Sequence, residues 1–304
     1  MKLLVVGTVA YDTVKTPFGN REATLGGSAA YASVAASHLT RVGISAAVGE
    51  DFKEEDRALL SGRGIDLTAM ETVAGAKSFH WQGEYEGDMN EARTLRTDLN
   101  VLTLFDPVLP PAHRAVPFVF LANVAPSIQL KVLDQLEAPK LVAADTMNYW
   151  IDSARPELLE VLKRIDVLLI NEGEARQLTG ESNLPLAGRR ILSLGPSTVI
   201  LKRGEHGVLQ MGGGDAFALP AFPLERVVDP TGAGDSFAGG FMGTLSATGS
   251  LDRGAIRRAV VMGSVMASHN VEDFSMHRLA GLERAAIEAR YVAFKRLTEF
   301  EDLG

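Results

Sequence analysis

Phe118-Val119-Phe120-Leu121-Ala122, Leu141-Val142-Ala143-Ala144, Val167-Leu168-Leu169-Ile170 and Val199-Ile200-Leu201 are four short apolar runs, separated by segments of helical period at Ile128–Leu136, Glu157–Lys163, Glu172–Leu178 and Leu186–Ser193. Strands alternating with longer helices predict a parallel sheet with crossover helices. Toward the amino terminus, Leu3–Gly7 is a further β-rich run ending in glycine, and Gly26-Gly27 opens a small-residue helical stretch, Ser28–Leu39. Between Ile44 and Leu104 the character changes. Alternating or aromatic runs, Ser78–Tyr85 and Thr94–Leu99, are set off by Gly75, Gly83, Gly87, Asp88 and Asn90, which predicts a small antiparallel sheet able to act as a lid. Toward the carboxyl end, Gly234–Thr248, Arg253–His269 and Arg278–Glu299 read as three helices.

A length of 304 residues would allow about two domains, yet no repeat, low-complexity tract or linker-like run divides the chain. The expectation is one α/β domain over residues 1–304, with the lid formed from segments within about 8–25 and 72–104. Hydrophobic residues at 46% and charged residues at 22% exclude disorder and a fibrous chain. The absence of cysteine excludes disulfides, thiolate zinc sites, iron–sulfur clusters and a cysteine nucleophile. A net charge of −8 argues against general attraction to nucleic acid and favours small-molecule partners. The run Met1–Gly7 is too short for a signal segment, and no stretch approaches the ~18 apolar residues of a membrane span, so a cytoplasmic protein without membrane contact is expected. The six histidines show no tight metal-ligand spacing.

The stretch richest in chemistry is Asp229-Pro230-Thr231-Gly232-Ala233-Gly234-Asp235-Ser236-Phe237-Ala238-Gly239-Gly240. A glycine-rich turn opening a helix exposes unpaired N–H groups at the positive end of the helix dipole, as an anion cradle requires. The dinucleotide pattern G-x-G-x-x-G fails at Phe237, which argues against a nicotinamide oxidoreductase. No Gly-Lys pair exists for a Walker A loop, and Asp235 breaks the nucleophile elbow G-x-S-x-G. What survives is a carboxylate inside an anion cradle. Asp235 either caps the helix or accepts a proton from a hydroxyl that attacks a phosphate.

The Asp229–Asp235 segment resembles the carboxy-terminal signature of the ribokinase-like (PfkB) carbohydrate kinase family. Gly7-Thr8-Val9-Ala10-Tyr11-Asp12 with Gly26-Gly27-Ser28-Ala29-Ala30, then Asn171-Glu172-Gly173-Glu174, then Lys202-Arg203-Gly204-Glu205-His206-Gly207 resemble three further motifs of that family in the same order. The resemblance implies a three-layer α/β/α fold with a mostly parallel central sheet and a β lid. It also implies transfer of the γ-phosphoryl group of ATP to a hydroxymethyl group of a sugar or nucleoside. In that reading Asp235 is the general base, ionised at neutral pH, and the N–H groups of Gly232, Ala233 and Gly234 form the anion hole. Asn171 and Glu174 support Mg²⁺ beside the triphosphate, with Asp145 and Asn148 as further candidates, although capping and turn roles explain the same residues. Lys202, Gly204, Gly207 and Asn270 lie on the nucleotide side, Asn270 as an adenine contact. Asp229 and Thr231 suit a potassium ion. Asp12, Gly26, Gly27 and Ser28 would hold the acceptor. Tyr31 stands where the family commonly has asparagine, so an aromatic ring replaces a hydroxyl ligand and points away from a simple sugar. The lid is expected to pair two copies in a homodimer. The rival reading is a non-catalytic nucleotide- or sugar-binding protein on the same fold.

Overall fold

The computed structural model describes every residue except Asp88, Glu91 and Gly304, so the turn signal at Asp88 lies outside the described residues. The strands are β1 (Leu3–Val6), β2 (Ala10–Thr16), β3 (Gly19–Gly26), β4 (Val42–Gly49), β5 (Asp66–Val73), β6 (Phe79–Tyr85), β7 (Ala92–Asp98), β8 (Phe118–Leu121), β9 (Leu141–Asp145), β10 (Val167–Asn171), β11 (Thr198–Lys202), β12 (Val208–Gly212) and β13 (Asp215–Leu219). Nine of them form one sheet in the order β13-β12-β11-β10-β9-β8-β1-β4-β5, parallel from β11 to β5.

Alternate residues of each central strand enter opposite cores, which is why those strands are apolar on both faces. Leu3 and Val5 pack with the helices Ser28–Ser37, Ala233–Thr248 and Arg253–Asn270. Leu4 and Val6 pack with Pro126–Leu133, Arg155–Leu162, Glu172–Thr179 and Leu184–Leu192. The three helices expected at the carboxyl end are present, the last as Arg284–Leu297 after a short turn of helix at His277–Ala280. Gly239 and Gly240 let the long helix lie against its neighbours. A Cβ on Gly239 would meet Ala32 and Ala35, and one on Gly240 would stand 2.8 Å from the Met262 carbonyl.

β4 and β5 belong to the central sheet, and the second sheet draws its strands from residues 10–26 and 79–98, close to the bounds expected for the lid. The lid, order β3-β2-β6-β7, is mixed: β2 runs parallel to β6 because the chain crosses the main sheet between them. Finally, β12 and β13 form a hairpin turning at Gly213-Gly214, whose φ values of 60° and 77° suit a two-residue turn. That glycine pair was its local signal. Among the described residues, no helix is long and apolar enough to cross a membrane.

Candidate active site

The carboxyl ends of the parallel strands and the lid enclose the candidate site, the usual place for ligands in an open α/β sheet. The helix Ala233–Thr248 begins at Gly232, which has φ 73° and no side chain to cap the first turn. Ala233 N–H donates to the Pro230 carbonyl at 3.1 Å, so it is not the open donor that the sequence reading made it. Gly232 and Gly234 have no backbone acceptor among the described residues and carry the anion-binding potential of the turn, whereas the Asp235 amide is turned to its own carboxylate.

Asp235 is half-buried in that first turn. Burial and then the Asp145 carboxylate push its carboxyl up to about 7, against the pull of Lys202 and of its own amide. This corrects the expectation of a fully ionised base: the helix terminus is outweighed by desolvation and a second carboxylate. Glu174 is raised to about 7 by burial and by Asp145. Asn171 and Glu174 form the reciprocal capping box, Glu174 N–H donating to Asn171 Oδ1 at 2.8 Å and Asn171 N–H to Glu174 Oε2 at 3.0 Å. The capping role is therefore real, and it also fixes Glu174 beside Asp145 and Lys202. Asn148 is exposed and accepts from the Tyr149 N–H in a local turn.

Asp145, the last residue of β9, is almost fully buried, and its Oδ2 accepts a 2.7 Å hydrogen bond from Lys202 Nζ. Sequence reasoning placed Lys202 on the nucleotide side without a partner. The shared C-terminal edge of β9 and β11 was the signal that links the two. Gly204 and Gly207 have φ 53° and 86°, and a Cβ on either would crowd Asn90 or the Leu219 carbonyl. Asn90 of the lid donates to Glu205 at 2.9 Å, so the lid reaches the loop after β11.

On the acceptor side, Asp12 of β2 is 5% exposed, with its carboxylate seated against Gly26. Burial, then Asp229, raises it to about 7, and the Gly27 amide opposes this. Gly27 has φ 94° and closes on the Thr8 carbonyl. Ser28 is corrected from acceptor ligand to tie: its N–H donates to Thr8 Oγ1 at 2.9 Å and its hydroxyl to the Asn123 carbonyl at 3.1 Å, leaving neither group for a substrate. Tyr31 is also reassigned. It is 1% exposed and its ring lies under Gly232, so it floors the anion-binding turn instead of facing an acceptor. Tyr85, the last residue of the lid run Ser78–Tyr85 and one of its residues expected to face a substrate or solvent, reaches inward, where its hydroxyl accepts from Thr231 Oγ1 at 3.4 Å.

Asp229 Oδ1 accepts from Thr231 N–H at 2.9 Å and Oδ2 from Ser275 N–H at 3.2 Å. Asn270 is fully buried and donates to the Thr231 carbonyl at 2.8 Å. Held inside the protein, it supports the loop through its amide N–H, while its Oδ1 is buried without a partner among the described residues. Among the described residues no group of three or more His, Asp or Glu side chains forms a metal cage. Carboxylates at Glu174 and Asp145 nonetheless fit Mg²⁺, which usually keeps most of its waters and binds through one or two carboxylates and substrate phosphates.

The model of the pfkB family of carbohydrate kinases matches residues 2–276. The chain belongs to that family. It is 31% identical over 252 residues to a cytidine kinase of Thermococcus kodakarensis, covering 81% of this chain and 89% of the relative. It is 28% identical over 256 residues to a nucleoside kinase of Methanothermobacter thermautotrophicus, covering 79% and 81% respectively. The fold matches aminoimidazole riboside kinase from Salmonella enterica, solved with aminoimidazole riboside and an ATP analog, at a TM-score of 0.74 and 22% identity over 96% of this chain and 100% of that one. This pfkB-family protein is an ATP-dependent carbohydrate or nucleoside kinase with the ribokinase-like fold.

Proposed function

We propose that this kinase transfers the γ-phosphoryl group of ATP to the hydroxymethyl group of a nucleoside. The observation that carries the reading is the placement of Asp235 beside the open N–H groups of Gly232 and Gly234, with Asp12 of the lid near enough to feel its charge. Asp12, seated against Gly26 and beside the Gly27 amide, accepts hydrogen bonds from sugar hydroxyls. Asp235 takes the proton of the attacking hydroxyl, and the turn at Gly232–Asp235 receives the charge of the transferring group. The lid, latched through Tyr85 to Thr231, excludes water. Magnesium, held through Glu174 and Asp145, would neutralise charge on the phosphates. Potassium at the Asp229 and Thr231 loop belongs to the same proposal, and faster turnover in potassium than in choline buffer tests it.

The nucleoside reading is supported by the cytidine kinase, 31% identical over 81% of this chain, and the nucleoside kinase, 28% identical over 79%; a ribokinase of Haemophilus influenzae, 28% identical over 78%, is the reason free sugars stand in the test. Release of ADP, coupled to an indicator enzyme and screened over nucleosides, free pentoses, hexoses and sugar acids, decides it. A nucleoside should give the highest kcat/KM. A free sugar that is turned over better would refute the assignment, and binding without ADP release would favour the non-catalytic reading. We place the activity in the cytoplasm, where ATP is abundant. The edge strand β7, exposed along its length, is the proposed lid surface of a homodimer, which light scattering tests directly.

A further inference from the structure

We propose that Lys202 is a catalytic residue of phosphoryl transfer, its ammonium group meeting the phosphoryl group in flight while Asp145 positions it. The inference rests on the kinase reading above and adds to it a full positive charge that the open N–H groups do not supply. It begins from topology. β9, β10 and β11 are parallel neighbours, with Asp145 in register with Leu169 and Lys202 with Asn171, so Asp145, Asn171 and Lys202 reach one edge of the sheet together. Lys202 Nζ donates to Asp145 Oδ2 at 2.7 Å, with the two side chains only 17% and 6% exposed.

The same ammonium stands 3.1 Å from the point where a Cβ on Gly234 would sit, which puts it against the first turn of the helix and next to Asp235. A lysine that served only as counter-ion for Asp145 and Glu174 would not need a glycine cleared in front of it. Here glycine at 234 leaves the cation open to the anion-binding turn.

In the transfer step the bond between the γ-phosphorus and the β,γ-bridging oxygen breaks and a bond to the acceptor oxygen forms. The hydroxyl proton passes to Asp235, and ADP leaves with the bridging electron pair. Lys202 keeps its proton throughout. Its part is electrostatic: the loose transition state spreads charge over three equatorial oxygens, and a fixed ammonium in a water-poor site stabilises it more than the ground state.

The test compares Lys202→Met and Lys202→Arg with the wild type in the full chain, using ATP, Mg²⁺ and the best acceptor from the nucleoside and sugar screen. Lys202→Met should lower kcat by about 10²-fold or more while KM for the acceptor stays within about threefold. Calorimetric affinity for ADP, which lacks the γ-phosphoryl group, should also stay within about threefold. Lys202→Arg keeps the charge but not the compact point geometry and should recover about tenfold of the loss. A Met variant with near-normal kcat overturns the proposal. So does one whose loss is confined to melting temperature, KM and ADP affinity, since that is what a structural counter-ion predicts. Should Lys202→Met fail to fold, Lys202→Gln reads the same split. A wild type that phosphorylates no acceptor would overturn the kinase reading and this proposal together, whereas an active wild type beside an equally active Met variant overturns this proposal alone.

Discussion

Replacing Gly232 by alanine probes the anion-binding turn with a single methyl group. Gly232 has φ 73°, a left-handed conformation that costs an L-residue about 1–2 kcal/mol. Its new Cβ would lie inside 3.0 Å of three Tyr31 ring atoms, and Tyr31 is 1% exposed with its ring in the main core, so it has little room to yield. Overpacking of this kind costs about 1–3 kcal/mol, giving roughly 2–5 kcal/mol in all. If the turn holds its place, this appears as a fall in melting temperature of roughly 3–8 °C, at about 2.1 cal/mol/K of unfolding entropy per residue. If the turn moves to relieve the clash, the open N–H groups move with it, and a shift of about 1 Å lowers kcat by about 10²-fold. Calorimetry and steady-state kinetics on the same preparation read both. The double variant Gly232→Ala/Tyr31→Ala separates strain from clash: with the ring gone, the second substitution should cost about 1–3 kcal/mol less than on the wild-type background. A Gly232→Ala protein with unchanged melting temperature and unchanged kcat would refute the packing argument, and strict additivity in the double variant would refute the role given to Tyr31.

Asp235→Asn should abolish ADP release, and a near-normal rate would remove Asp235 as the base. Because burial and Asp145 raise its carboxyl to about 7, the ionised base is lost as pH falls through that value, so kcat/KM of the wild type should climb between about pH 6 and 8 and then level. The same shift has the opposite sign for stability: a carboxyl raised above its unfolded value of about 4 binds its proton more tightly when folded, and stability falls as pH rises from about 4 through 7. Asp235→Asn should therefore melt higher than the wild type near pH 8 and lose that advantage near pH 4; an advantage that is independent of pH would contradict the assignment. Tyr85→Phe removes the hydroxyl that accepts from Thr231, and it should raise KM for the acceptor severalfold with little change in melting temperature, whereas unchanged kinetics would show that this contact does not hold the lid.

Local signals carried much of the molecule. The doubly covered strands, the crossover helices and the glycine turn before Asp235 follow from hydrophobic period and from the conformations open to glycine, both of which act over a few residues. Only the tertiary structure decided what lies beside what. Asp145 and Lys202 are far apart in the chain and meet because β9 and β11 end on one edge of the sheet. Tyr31 under Gly232, Asn270 behind Thr231 and Ser28 between Thr8 and Asn123 look like ligands by composition, and become supports only once burial and their hydrogen bonds are known. The proton affinity of Asp235 belongs to this class as well. A helix terminus alone would depress it, and the desolvation and neighbouring carboxylate that raise it are created by folding, which brings distant charges into a common low-dielectric space.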